Sequence, residues 1–124
     1  MTLNIFIPGK CPGFNDTYKV GKGRGGKCRM YIAPKVKEWI NKASLIVGAA
    51  AAEQEWGFKE CLYEFELRFS NQKQDVDAPL KLLIDMVTRK LGFDDKYIKK
   101  ATIDRLSKEE SDMIGIWITL KPIT

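Results

Sequence analysis

A chain of 124 residues, 44% of them apolar and 30% charged, is sized for one domain around one core and lacks the composition of a disordered protein. It contains no histidine, which removes the usual general base and the usual transition-metal ligand, and its three cysteines lack zinc or disulfide spacing. The net charge of +5 is concentrated: residues 1–30 hold six basic side chains against Asp16 alone, and the rest balances at fifteen of each sign. Such concentration fits a phosphate-binding surface, with a merely solvated basic loop as the alternative.

Leu3, Ile5 and Ile7 alternate with residues of the opposite face and stop at Pro8 and Gly9, which predicts a first strand. This opening is too short and too alternating for a signal peptide. No apolar run is long enough to span a bilayer, so a soluble cytoplasmic protein without a membrane partner is expected. From Lys10 to Arg29 glycine and basic residues dominate, predicting a loop or a long hairpin. Residues 21–28, GKGRGGKC, come close to the phosphate-loop pattern G-x-x-x-x-G-K-[ST]. Cys28 stands where a hydroxyl is needed and no helix follows, so nucleotide binding is rejected.

Met30 to Ile32 reads as a short strand, and Pro34 opens a helix expected to run to about Trp56 and stop at Gly57. Val36, Trp39, Ile40, Ala43, Val47 and Ala50 mark its apolar face. Cys61, Tyr63, Phe65, Leu67 and Phe69 alternate with Leu62, Glu64, Glu66 and Arg68, the clearest half-buried strand in the chain. A polar turn over 70–74 leads to Asp75 and Asp77. Leu80, Leu83, Ile84, Val87 and Leu91 predict a second amphipathic helix, with Pro79 in its first turn and Gly92 at its end. Asp94 and Asp95 follow at once. Residues 97–106 and 113–120 read as two antiparallel strands around a polar turn at 108–112. The expected fold is α+β, a single domain over 1–124 with one mixed sheet and two amphipathic helices packed on it. A domain this small gains stability from dimerising.

Asp75 and Asp77 are separated by one residue, so an extended chain points both carboxylates to one side, where they can share a hard divalent cation such as Mg²⁺. Asp77 could instead cap the following helix, which does not exclude metal binding. Lys81 lies four residues from both Asp77 and Asp85 and can pair with either, for only ~0.3–0.5 kcal/mol if exposed. It can also offset charge developing on a phosphate. Asp94 and Asp95 alone could be a solvated turn. Clustered carboxylates on a basic chain give a first reading of a Mg²⁺-dependent enzyme acting on nucleic acid.

From Asp75 through Ala78 to Lys81, then Asp85, then Leu91 to Asp95, the chain resembles the RusA family of Holliday-junction resolvases. That family's pattern is D-x-D-N-x-x-K, a further D, and G-x-x-D-D; the spacings here differ slightly. Residues 8–15, with Pro8, Pro12 and Asn15, look like the family's turn after its first strand. Ala78 replaces a common asparagine, and Gln74 stands where arginine is frequent. The resemblance implies catalytic carboxylates at Asp75, Asp77 and Asp95 and a catalytic lysine at Lys81. It also implies Mg²⁺ held by Asp75, Asp77, Asp95 and Asp94, with Mn²⁺ as a substitute. Asn15, Lys19, Lys22, Arg24, Lys27, Arg29 and Lys73 are the candidate contacts to four-way junction DNA. The expected protein is a homodimeric endodeoxyribonuclease that nicks junctions symmetrically. A less selective Mg²⁺ nuclease of branched DNA and a non-catalytic junction-binding protein are the alternatives.

A helix from Pro79 to Leu91 spans about 20 Å. The two residues between Leu91 and Asp94 return the chain by at most ~10 Å. One subunit therefore struggles to bring Asp75 and Asp95 to one cation, and sites shared between two subunits are expected.

Overall fold

The computed structural model describes residues 2–9, 18–22, 28–32, 34–70, 80–106 and 114–123. Strand β1 (Leu3–Pro8) buries Leu3, Ile5 and Ile7 and turns Asn4 and Phe6 to the other face. Gly9 leaves the strand at φ 92°, a conformation open to a residue without Cβ, and its amide donates to the Ile114 carbonyl at 3.0 Å.

Strands β2 (Tyr18–Lys22) and β3 (Cys28–Ile32) pair antiparallel, with Tyr18 opposite Ile32 and Lys22 opposite Cys28. The glycine-rich stretch thus joins two strands of a hairpin, whereas a phosphate loop would lead from a strand into a helix. This hairpin forms a two-stranded sheet of its own, in addition to the one mixed four-stranded sheet, which is as expected. Neighbouring strands with a short connection satisfy each other's backbone groups at low closure entropy, without joining the main sheet.

Helix α1 (Pro34–Glu53) opens on a proline, whose missing amide is not needed in a first turn. Val36, Ala43, Val47 and Ala51 are buried at helical spacing, with Trp39, Ile40, Ile46 and Ala50 flanking them. The helix stops at Glu53 rather than near Trp56. Glu55 takes a left-handed conformation at φ 52°, and the Trp56 amide reaches back to the Ala51 carbonyl at 2.8 Å. A glycine-type cap is thus built without glycine, and Gly57 plays no part in it. The early stop also frees Gln54. Its side chain accepts from the Asn4 amide at 3.0 Å and donates to the Asn4 carbonyl at 2.6 Å, covering part of the β1 edge as a neighbouring strand would.

Strand β4 (Tyr63–Ser70) buries Tyr63, Phe65, Leu67 and Phe69 and lies inside the main sheet. Fully burying one such side chain is worth about 1.5–3 kcal/mol. Helix α2 (Leu80–Leu91) buries Leu82, Leu83, Met86, Val87 and Thr88. It ends as expected, with Gly92 at φ 81° and the Gly92 and Phe93 amides both donating to the Thr88 carbonyl. Strand β5 (Ile98–Leu106) pairs parallel with β4, so β4, α2 and β5 form a crossover unit. Strand β6 (Gly115–Pro122) pairs antiparallel with β4 on one side and with β1 on the other.

The order β1-β6-β4-β5 corrects the expected hairpin of the last two strands. They run antiparallel, but β4 lies between them. The strand with the strongest apolar face takes an interior position, and β5, carrying Lys99, Lys100, Asp104 and Arg105, makes a charged edge. Both helices contribute to one core against the face formed by Ile5, Phe65, Leu67 and Ile118. The opposite face is left to Phe6, Glu66, Arg68 and Trp117.

Candidate active site

The predicted residues fall into three groups. Asp75, Asp77 and Lys73 belong to the connection between β4 and α2, and Asn15, Arg24 and Lys27 to the segments around the hairpin; all six lie outside the described residues. Lys19 and Lys22 sit in β2 and Arg29 in β3, where the register sets Arg29 opposite Gly21. Lys81, Asp85, Asp94 and Asp95 are described in full.

Lys81 is exposed in the first turn of α2. The pair that Lys81 could make with Asp85, one turn on, is not formed; the ion pairs of the described residues include Lys100 with Glu64 and Lys121 with Glu66. An exposed pair returns too little to hold a long side chain in one rotamer. Lys81 is therefore an exposed cation at the helix start with no ion pair among the described residues.

The other end of α2 is built with more constraint. Gly92 turns the chain out of the helix. Phe93 then stacks on Phe58, with centroids 4.8 Å apart and planes within 8°. Tyr97 meets the same Phe58 ring edge-on at 5.2 Å, and Tyr63 and Trp56 close around Phe93 at 5.8 and 6.2 Å. The Tyr63 hydroxyl accepts from the Lys59 amide and donates to the Lys59 carbonyl, which ties the 56–61 segment to the cluster. Burial pushes the Tyr63 hydroxyl pKa up, so it stays protonated as this donor. Asp94 and Asp95 lie between Phe93 and Tyr97, so aromatic packing brackets the acidic pair on both sides.

Within that bracket the two aspartates differ. Asp94 caps a single 3-10 turn (Asp95–Tyr97), its Oδ1 accepting from the Lys96 amide at 2.9 Å. This amide holds the Asp94 carboxyl below the usual range, against an opposing desolvation, and a contact with the Asp95 carboxyl lowers it further. Asp95 is exposed and enters no ion pair among the described residues. Two adjacent carboxyls with one oxygen already committed leave an all-oxygen donor set, which suits a hard cation such as Mg²⁺. Among the described residues no three carboxylates or thiols gather as a metal site.

Lys81 and Asp95 stand at opposite ends of α2. Helix α2 has 12 residues and a length of about 18 Å. The strand register agrees: Asp95 precedes Ile98, which pairs with Tyr63, whereas α2 starts from the connection that leaves Ser70. Tyr63 and Ser70 are separated by roughly 23 Å of strand.

The aromatic bracket was missed in the sequence. Its signal was the aromatic pair Trp56 and Phe58, set against the pair Phe93 and Tyr97 around the acidic dipeptide. No family model matches the chain, and no curated protein matches it.

Proposed function

We propose that the chain is a homodimeric, Mg²⁺-dependent endodeoxyribonuclease that resolves four-way DNA junctions in the cytoplasm by paired symmetric nicks. The observation that carries this reading is the ordered set Asp75, Asp77, Lys81, Asp94 and Asp95, whose spacing resembles the RusA family. The bracketed Asp94–Asp95 pair supports it, because a cation site needs carboxylates whose positions do not depend on the ligand.

Asp75, Asp77 and Asp95, together with the uncommitted oxygen of Asp94, would hold Mg²⁺, with Mn²⁺ as a substitute. The bound cation supplies an activated water and neutralises charge at the scissile phosphate. Lys81, exposed at a helix start where the macrodipole also favours anions, offsets charge on the phosphate under attack. Asn15, Lys19, Lys22, Arg24, Lys27, Arg29 and Lys73 grip the backbone of the junction arms. Two copies of α2, antiparallel across a two-fold axis, set each Lys81 end against the partner's Asp95 end, and a two-fold enzyme matches a two-fold substrate.

A cleavage gel tests this with a mobile four-way junction, a flap and plain duplex, across Mg²⁺ and Mn²⁺. Paired nicks confined to the junction are expected. The Asp75→Asn protein should bind the junction and leave it uncut, since the lost carboxylate ligates metal but repels phosphate. Equal cutting of all three substrates would favour a less selective nuclease. Junction binding without cutting in either cation would favour a non-catalytic binding protein.

A further inference from the structure

The sheet face left uncovered by both helices carries a concavity that the nuclease reading has not used. We infer that it holds a single unstacked base of the DNA substrate against the Phe6 and Trp117 rings, beside Arg68, an inference that rests on the nuclease reading and adds a subsite to it.

The register builds the subsite. Phe6 of β1 is opposite Trp117 of β6, and Trp117 is opposite Arg68 of β4, so the three form one cross-strand row. Asn4 and Thr119 occupy the next row. The Phe6 and Trp117 rings lie 4.9 Å apart between centroids, inclined at 39°. Between these residues is a concavity of about 140 Å³. An enclosed cavity of about 150 Å³ accepts one benzene-sized ring, so this open concavity has room for one planar ring. Phe6 leans over Gly115, where an added Cβ would come within 2.4 Å of its ring. The glycine allows that tilt, and the tilted pair presents a half-buried aromatic surface rather than a closed core.

The polar rim selects the kind of ring. On this face Lys121 and Lys100 are neutralised by Glu66 at 2.9 Å and Glu64 at 3.8 Å. Arg68 is exposed and has no ion pair among the described residues, although Asp104 is its register partner on β5. It is the cation of this row left for a phosphate. Thr119 Oγ1 donates to Asn4 Oδ1 at 3.2 Å, which fixes the Asn4 amide and leaves its Nδ2 for an acceptor on a base edge. Aromatic faces, an amide donor and a guanidinium make the combination that stacks a base while holding its backbone. The row is also two residue positions from Pro8, Gly115 and Ser70. Ser70 is where β4 passes the chain into the connection that carries Asp75 and Asp77. A base splayed out at a branch point would therefore stack near the end of the sheet where β4 enters that connection.

The test uses the full chain with Trp39→Phe and Trp56→Phe, which leaves Trp117 as the sole tryptophan, and EDTA to suppress cutting. Tryptophan fluorescence and affinity are measured with oligothymidylate and with an abasic oligomer of equal length and charge. Quenching by oligothymidylate alone is expected, with roughly ten-fold tighter binding from the stacked base. Trp117→Leu and Phe6→Leu should reduce oligothymidylate binding to the abasic level, and Arg68→Gln should weaken both oligomers together. Should either aromatic variant fail to fold, the quenching comparison and Arg68→Gln, an exposed substitution, still decide. Equal affinity for the two oligomers with Trp117 unquenched would overturn the inference. So would a dimer that dissociates on Trp117→Leu in sedimentation, because the face would then be a subunit interface. Junction cleavage is read separately, so the nuclease reading can stand while this subsite fails.

Discussion

Mixing two inactive variants distinguishes shared sites from self-contained ones, and the geometry of α2 fixes the expected result. Lys81→Met removes the cation at the helix start, and Asp95→Asn removes the exposed carboxylate beyond its end. The two groups stand at opposite ends of a helix of about 18 Å, and this separation is the ground for expecting shared sites. If each site takes Lys81 from one subunit and Asp95 from the other, a heterodimer of the two variants has one doubly damaged site and one intact site. Random exchange of equal amounts makes half the dimers hetero, so intact sites should return to about a quarter of the wild-type number. The assay is a junction gel after subunit exchange, with differently tagged subunits to verify heterodimers. Each variant alone should be inactive, and the mixture should nick one strand per junction without resolving it. Self-contained sites would each keep one lesion. No nicking from verified heterodimers would therefore refute the shared-site argument.

Neutralising Lys22, Arg24 and Lys27 together should weaken junction binding and flatten its salt dependence by roughly 0.9 per lost phosphate contact, measured as log affinity against log salt; an unchanged slope would assign these residues to solvent. The Asp94 cap predicts a pH-dependent stability difference. Its native pKa is lowered, so its contribution is complete above the ordinary value of about 3.9 and is lost as pH falls through the native value. Asp94→Ala should accordingly be less stable than wild type at pH 7 in urea unfolding, and the gap should close in acid; a gap independent of pH would contradict the capping role. Gly115→Ala should cost about 1–3 kcal/mol by driving a methyl into the Phe6 ring. The same change in a Phe6→Ala background should cost much less, and additive costs would mean that the ring does not occupy that space.

Much of this fold was legible because local periodicity reports which side of an element is buried. The alternation of β1, β4 and β6, the apolar stripes of both helices and the glycine stop at Gly92 all follow from residues within a turn or two of each other. The candidate set Asp75, Asp77, Lys81, Asp94 and Asp95 was read from spacing along the chain, and α2 sets Lys81 and Asp95 at its opposite ends. Alternation does not name a strand's neighbour, however. That β4 lies between β5 and β6 depended on how much apolar surface each strand could bury in the interior of the sheet. The stop at Glu53 followed from Trp56 packing into the core and Gln54 reaching Asn4, contacts too distant along the chain to leave a local pattern. The aromatic bracket around Asp94 and Asp95, and the row of Phe6, Trp117 and Arg68, likewise exist only once the strands have paired. The sequence determined what each segment would bury, because that is a property of neighbours. The tertiary structure alone decided which segments meet, because that preference is set by the burial of the whole sheet.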